Sequence, residues 1–201
     1  MTHTCTYYLA PPSPYVYLGH QRFAELASKY QVQVDVRPFD LGRVFGISGG
    51  LPLAKRAPQR QAYRLVELER WSRFLGLPLN LHPQFFPVAG DPAAHLIIAA
   101  KLAHGNDAAM RLTGGIGRAV WAEERNIADA ATLTAIAGEA GLDGAALMKA
   151  ADTAAVQAEY QRYTDDAIAA NVFGAPWYMV DGIGYWGQDR LDFVERALQQ
   201  A

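Results

Sequence analysis

Two β-type runs with one helical run between them fill the first forty residues, and that alternation limits the chain more than any other feature. "TCTYYL" (4–9) is short, apolar and rich in β-formers, and "VQVDVRPF" (32–39) alternates, with valines at 32, 34 and 36. "SPYVYLGHQRFAELASKY" (13–30) lies between them with helical spacing and places Tyr17, Phe23 and Leu26 among its apolar positions. This order predicts a parallel strand pair joined by a right-handed crossover. Ser13 is placed to cap the helix through its hydroxyl, and Pro14 suits the first helical position. The positive end of a helix also suits a reactive anion, so Ser13 has two readings: a cap, or a group that serves chemistry.

The middle of the chain changes character. "FGISGGLPLAKRAP" (45–58) reads as a mobile Gly/Pro loop, and from about residue 58 to 170 the pattern is helical almost throughout. "PQRQAYRLVELERWSRFLG" is amphipathic and stops at Gly76, and Trp71 in it reads as a packing residue. In "DPAAHLIIAAKLAH", Asp91 reads as the cap and Pro92 as the first helical residue. "TGGIGRAV" (113–120) lacks the phosphate-loop pattern and has no strand before it, so close helix packing is expected there. β character returns near the end. "WYMVD" and "GYW" flank Gly182 as a hairpin, with "DGIG" longer than the tightest turn needs, and Asp189 is placed to cap a last helix. The order βαβ, helical block, ββα compresses to a small mixed sheet with helices on its faces. The expected fold class is therefore α/β: a thioredoxin-like domain (1–45 and 171–201) interrupted by an all-helical insertion domain (46–170).

Composition removes several function classes. Apolar residues make up 51% of the chain, enough for a well-buried interior, and the net charge of −2 comes without a block of like charge, which argues against nucleic acid and anionic membrane as partners. Cys5, the one cysteine, can form no internal disulfide and no Cys-x-x-Cys pair, and its apolar run makes it a core residue. A dithiol oxidoreductase is thereby disfavoured. The histidines at 3, 20, 82, 95 and 104 show no metal-ligand spacing, so no metal is expected. His20 follows Ser13 by about two helical turns, too far for a base, and no G-x-S-x-G elbow occurs, which disfavours a serine hydrolase. The N-terminus lacks a basic n-region, prolines 11, 12 and 14 break its first apolar stretch, and no apolar span of ~20 residues follows. A cytoplasmic protein is the expectation.

"SPYVYLG", "LGLPLNL" and above all "FGAPWYMVDGIGYWGQDRLDFV" (173–194) give a more specific signal. Together they resemble the kappa-class glutathione transferases and the 2-hydroxychromene-2-carboxylate isomerases, relatives of the DsbA disulfide oxidoreductases. The resemblance covers nearly the whole chain and implies a thioredoxin-like domain split by helices. It implies serine in place of the oxidoreductases' reactive cysteine, here Ser13, with glutathione supplying the sulfur. In this reading Ser13 is the catalytic residue and hydrogen-bonds the thiolate, and the helix N-terminus lowers the thiol pKa further. Ala175 and Pro176 resemble the family's cis-proline step, where the Ala175 backbone would pair with glutathione as one strand pairs with another. Trp186, Gly187, Gln188 and Asp189 form the corner that holds the γ-glutamyl end in the family, with Asp189 suited to its ammonium.

The resemblance implies thiolate addition to an unsaturated 2-hydroxychromene-2-carboxylate, ring opening, and elimination to the trans open-chain pyruvate. The partner is then an aromatic or unsaturated carboxylate, and Arg43, Lys55 and Arg56, near the 45–57 loop, are the candidate cations for it. Phe85 falls near a position that is aromatic in some relatives. Two departures stand out: some isomerases carry Lys where this chain has Phe45, and Asn where it has Gly50. Both remove polar contacts from the expected second-substrate pocket. Two alternatives therefore stay open, a transferase that conjugates glutathione to an apolar electrophile and a non-catalytic thioredoxin-like module that binds glutathione or peptides. The resemblance also implies a homodimer.

Overall fold

The computed structural model describes residues 3–200. Its sheet has four strands, β1 (Thr4–Leu9), β2 (Gln33–Pro38), β3 (Trp177–Val180) and β4 (Ile183–Trp186), in the order β2-β1-β3-β4. β1 and β2 are parallel, joined through α1 (Pro14–Lys29), as the sequence predicts; β3 pairs with β1 and β4 with β3, both antiparallel. α2 (Leu41–Ser48) follows β2. The helical block then runs α3 (Pro58–Leu75), α4 (Asp91–His104), α5 (Asn106–Trp121), α6 (Ala130–Glu139), α7 (Gly144–Ala151) and α8 (Ala154–Ala169), and α9 (Leu191–Leu198) closes the chain.

Strand periodicity distributes the core on both faces of the sheet. Cys5, Tyr7 and Leu9 of β1 join Val36, Tyr178 and Val180 in a large cluster with α1, α4, α5 and α9. Tyr8, which points the other way, joins Trp177, Phe39, Val44 of α2 and Ala167 of α8 in a smaller one. Cys5 is a buried core thiol, and burial raises its pKa well above the ordinary range, so it is no nucleophile. A charged cluster ties β2 to the helical block: Arg37 meets Asp35 and Asp166, each at 2.7 Å, and Lys101 of α4 reaches Asp35, the Val36 carbonyl and the Tyr163 hydroxyl. α5 packs on α1 through small residues: a Cβ at Gly117 would lie 3.3 Å from the Tyr17 side chain, and one at Gly114 3.1 Å from the His20 ring. "TGGIGRAV" is thus a helix-packing surface, as expected.

Four local expectations are corrected. Residues 45–48 belong to α2, capped at its start by the Asp40 carboxylate on the Arg43 N–H and ended by Gly49 at φ 77°, and a 3-10 turn spans Leu53–Lys55. Gly90, not Asp91, is the N-cap of α4, because the Asp91 carboxylate instead accepts the Tyr160 hydroxyl at 2.8 Å. The β3–β4 hairpin has the tight two-residue Asp181-Gly182 turn, with φ 46° and 86°, because Ile183 already pairs with Val180. Asp189 does not cap α9: it lies in a 3-10 turn (Gln188–Arg190), and Arg190 stands at the cap position without a side-chain capping bond. The division into a thioredoxin-like domain and a 46–170 insertion remains a proposal, and its first boundary falls inside α2.

Candidate active site

The α1 N-terminus is where the site begins. Ser13 has extended backbone angles (φ −74°, ψ 125°), and its Oγ accepts the Val16 N–H at 3.4 Å, with Pro14 at the first turn. The cap reading is therefore correct, but the bond is long. Among the described residues no acceptor takes the Ser13 O–H, and Ser13 is half-buried on the wall of a cavity of about 630 Å³. A hydroxyl has one donor and two acceptor sites, so capping leaves the donor free to point at a ligand.

Around this cavity Tyr15, Leu41, Phe45, Phe86, Phe173 and Trp186 supply apolar wall, and Arg56, Arg60 and Arg64 are the charged residues on it. Among the described residues no carboxylate lines it. Arg56 is held by its own Nε donating to the Leu51 carbonyl at 2.8 Å. Arg64 is buried, with its guanidinium carbon 5.3 Å from the Phe86 ring centre and 5.6 Å from that of Trp121. Burial pulls the Arg64 pKa down, and it pushes the Tyr15 phenol up, against the downward pull of the Arg64 charge. The Phe45 ring lies over Gly50 so closely that any side chain at 50 would run into it. The two departures at these positions are thus one packing unit: the ring needs the glycine.

Of the residues singled out from the sequence, Ser13, Arg56, Ala175 and Trp186 line this cavity, and the Ala175–Pro176 bond is cis. Pro176 lies beside it, its carbonyl accepting the Gly187 N–H at 3.0 Å, and Gly187 has the left-handed φ of 101° that leads the chain from β4 into the 3-10 turn. Gln188 is buried and faces α1, where Arg22 donates to both its backbone and its side-chain oxygen. Asp189 is exposed and pairs with Arg190 at 2.7 Å. Neither Gln188 nor Asp189 lines the cavity, and both stand at its edge in sequence, just after Trp186.

Three candidates for the substrate side, two cations and one aromatic residue, lie elsewhere. Arg43 points to α8 and pairs with Asp165 at 2.7 Å, Lys55 is exposed at the end of its 3-10 turn, and Phe85 is not on the cavity wall, which its neighbour Phe86 occupies instead. Sequence reasoning missed Arg60 and Arg64. A signal for Arg64 existed: it shares a helical stripe with Leu68, Trp71 and Leu75, so a cation stood on an otherwise apolar face. Among the described residues no cluster of His, Cys, Asp and Glu could hold a metal, and no helix is long and apolar enough to cross a membrane.

Comparison with known proteins agrees with this fold. The family model of the DSBA-like thioredoxin domain matches residues 11–199. A 2-hydroxychromene-2-carboxylate isomerase of Sphingobium xenophagum is 30% identical over 98% of this chain and 99% of its own. The glutathione S-transferase kappa 2 of Caenorhabditis elegans is 23% identical over 90% of this chain and 85% of its own. A solved 2-hydroxychromene-2-carboxylate isomerase structure superposes with a TM-score of 0.80 at 25% identity, covering 98% of this chain and 95% of that one. Near full-length matches of this kind, on a βαβ–helical–ββα chain with serine at the α1 N-terminus, mean that the chain belongs to the DSBA-like thioredoxin family, in its group of isomerases and kappa-class transferases.

Proposed function

We propose that this chain is a glutathione-dependent isomerase of the 2-hydroxychromene-2-carboxylate type, acting as a cytoplasmic homodimer in the catabolism of aromatic compounds. The observation that carries the reading is the free Ser13 hydroxyl at a helix N-terminus, opening on a cavity with arginines and no carboxylate. Such a donor set suits a molecule with a thiolate and carboxylates. When bound, glutathione supplies a sulfur nucleophile for reversible addition to a carbon–carbon double bond.

The chain's own residues would do the rest. Ser13 donates its O–H toward the sulfur, while the Tyr15 N–H, which has no partner among the described residues, and the positive end of α1 add positive potential, so the charged form of a thiol is favoured there. The Ala175 backbone offers strand-like pairing, and the Trp186–Asp189 corner takes the γ-glutamyl end, with Asp189 leaving Arg190 to meet the ammonium. Gln188 positions this corner through its bonds from Arg22. Arg56 offers a cation to the acid substrate, and the aromatic wall takes its ring. One observation favours a second reading: Phe45 over Gly50 makes that side of the cavity apolar. Under it the chain is a transferase for an apolar electrophile.

The test follows 2-hydroxychromene-2-carboxylate by absorbance with and without glutathione, beside a chlorinated nitroaromatic. Glutathione-dependent conversion of the chromene acid is the expected result. Consumption of the nitroaromatic alone makes it a transferase, and glutathione binding without either turnover makes it a binding module. Ser13→Ala is expected to slow turnover about tenfold or more through a higher thiol pKa, while glutathione still binds.

A further inference from the structure

Arg64 is 8% exposed, and no hydrogen bond or ion pair within the described residues takes its guanidinium. Other arginines near the core have polar partners: Arg37 has Asp35 and Asp166, and one terminal nitrogen of Arg22 has both oxygens of Gln188, although the Arg22 Nε has none. A buried, unpaired cation is costly, and stacking on aromatic faces offsets only part of that cost. The Phe86 and Trp121 ring centres lie 5.3 and 5.6 Å from the guanidinium carbon. Its remaining free side is the cavity that Ser13 also lines, where no acidic residue waits. The planar fork of an arginine matches a carboxylate in a bidentate way, and burial strengthens that pairing.

We propose that Arg64 is the carboxylate anchor for the second substrate, a planar aromatic or unsaturated monocarboxylic acid whose ring lies on the Phe86 side of the wall. This rests on the isomerase reading for the second substrate's identity, but the anchor is a property of the cavity. Arg56 differs in kind: its Nε is already engaged by the Leu51 carbonyl, and it is the more exposed group. The carboxylate of glutathione's glycine is the other source of the same chemistry, and the experiment separates the two.

Binding of trans-cinnamate and of its uncharged amide is measured by calorimetry on the protein with saturating glutathione. Wild type is expected to prefer cinnamate. Arg64→Met, which keeps an apolar stem between the rings, is expected to weaken cinnamate about ten- to hundredfold, with the amide and glutathione affinities unchanged. Arg64→Lys keeps a cation but not the fork, so it should retain part of the preference; this variant carries the test if the methionine variant fails to fold. Equal weakening of acid and amide would reveal a merely structural arginine and overturn the proposal. So would an unchanged cinnamate affinity, or a loss that falls on glutathione instead. A cinnamate preference that needs Arg64, in a protein that leaves the chromene acid untouched, supports the anchor and sinks only the isomerase reading. Chromene turnover with an unaltered KM in Arg64→Met does the reverse.

Discussion

His20 and Ser13 share α1, yet they do opposite things with their polar atoms. His20 is buried against Tyr7, whose hydroxyl is 3.5 Å from its Nδ1, and burial lowers its pKa from 6.5 to about 4. Its neutral form is the folded form. Protonation is therefore resisted by the fold but free in the unfolded chain, so this contribution is complete above pH 6.5 and is lost as pH falls toward 4. The loss should reach roughly 3 kcal/mol at most. Urea midpoints at pH 7 and pH 5 should show it, and His20→Gln should flatten the difference between them. Ser13, by contrast, keeps its donor at a cavity. Its cap bond of 3.4 Å is long, so removing the hydroxyl should cost only about 0.5 kcal/mol of stability, the low end for an N-cap. A melting curve of Ser13→Ala close to wild type would then show that lost turnover is not lost folding.

Between elements, α1 meets the turn that carries Gln188 at a point where no side chain fits. A Cβ at Gly19 would lie 2.8 Å from the Gln188 Cβ and 2.8 Å from the Tyr178 hydroxyl. The Gln188 atom sits one bond from its backbone and cannot swing aside. Gly19→Ala should therefore push the Trp186–Asp189 corner away from α1, at a cost of about 1–3 kcal/mol. Glutathione affinity should fall with it. A variant that is destabilised but binds glutathione normally would remove this corner from the site. The same close approach explains why Arg22, one turn after Gly19's neighbours on α1, can reach both Gln188 oxygens.

At the scale of the molecule, one cluster of buried residues runs from the sheet into α4, α5, α6 and α7, and Lys101 crosses the same boundary in charge. Its ammonium holds Asp35, the Val36 carbonyl and Tyr163 together, and burial pulls its pKa down while Asp35 pulls it up. Lys101→Met would leave the Val36 carbonyl without this donor and Asp35 with Arg37 alone, a loss of about 2 kcal/mol. If the sheet and the helices share one core, far-ultraviolet and tryptophan signals should fall together at the lower midpoint; two separate transitions would show that the helical block folds by itself.

Much of this architecture was legible in residues taken a few at a time. Alternating valines, the Ser13-Pro14 start and the stop at Gly76 are local signals, because strand and helix periods and caps depend on neighbours within a turn or two. Asp189 failed as a cap for a reason of the same kind, a 3-10 turn that put α9 one residue later than a capping carboxylate could serve. Among the candidate cations Arg56 lines the cavity, but Arg43 does not and Arg64 was missed, for a different reason. Arg43 found Asp165, 122 residues away, while Arg64 found aromatic faces and no acid. The chain alone determined most of the elements and their order, α2 excepted, since backbone preference and hydrophobic period act at short range. Only the tertiary structure decided which charges are neutralised and which remain to greet a ligand, since pairing is a matter of distance in space between residues that the chain holds far apart.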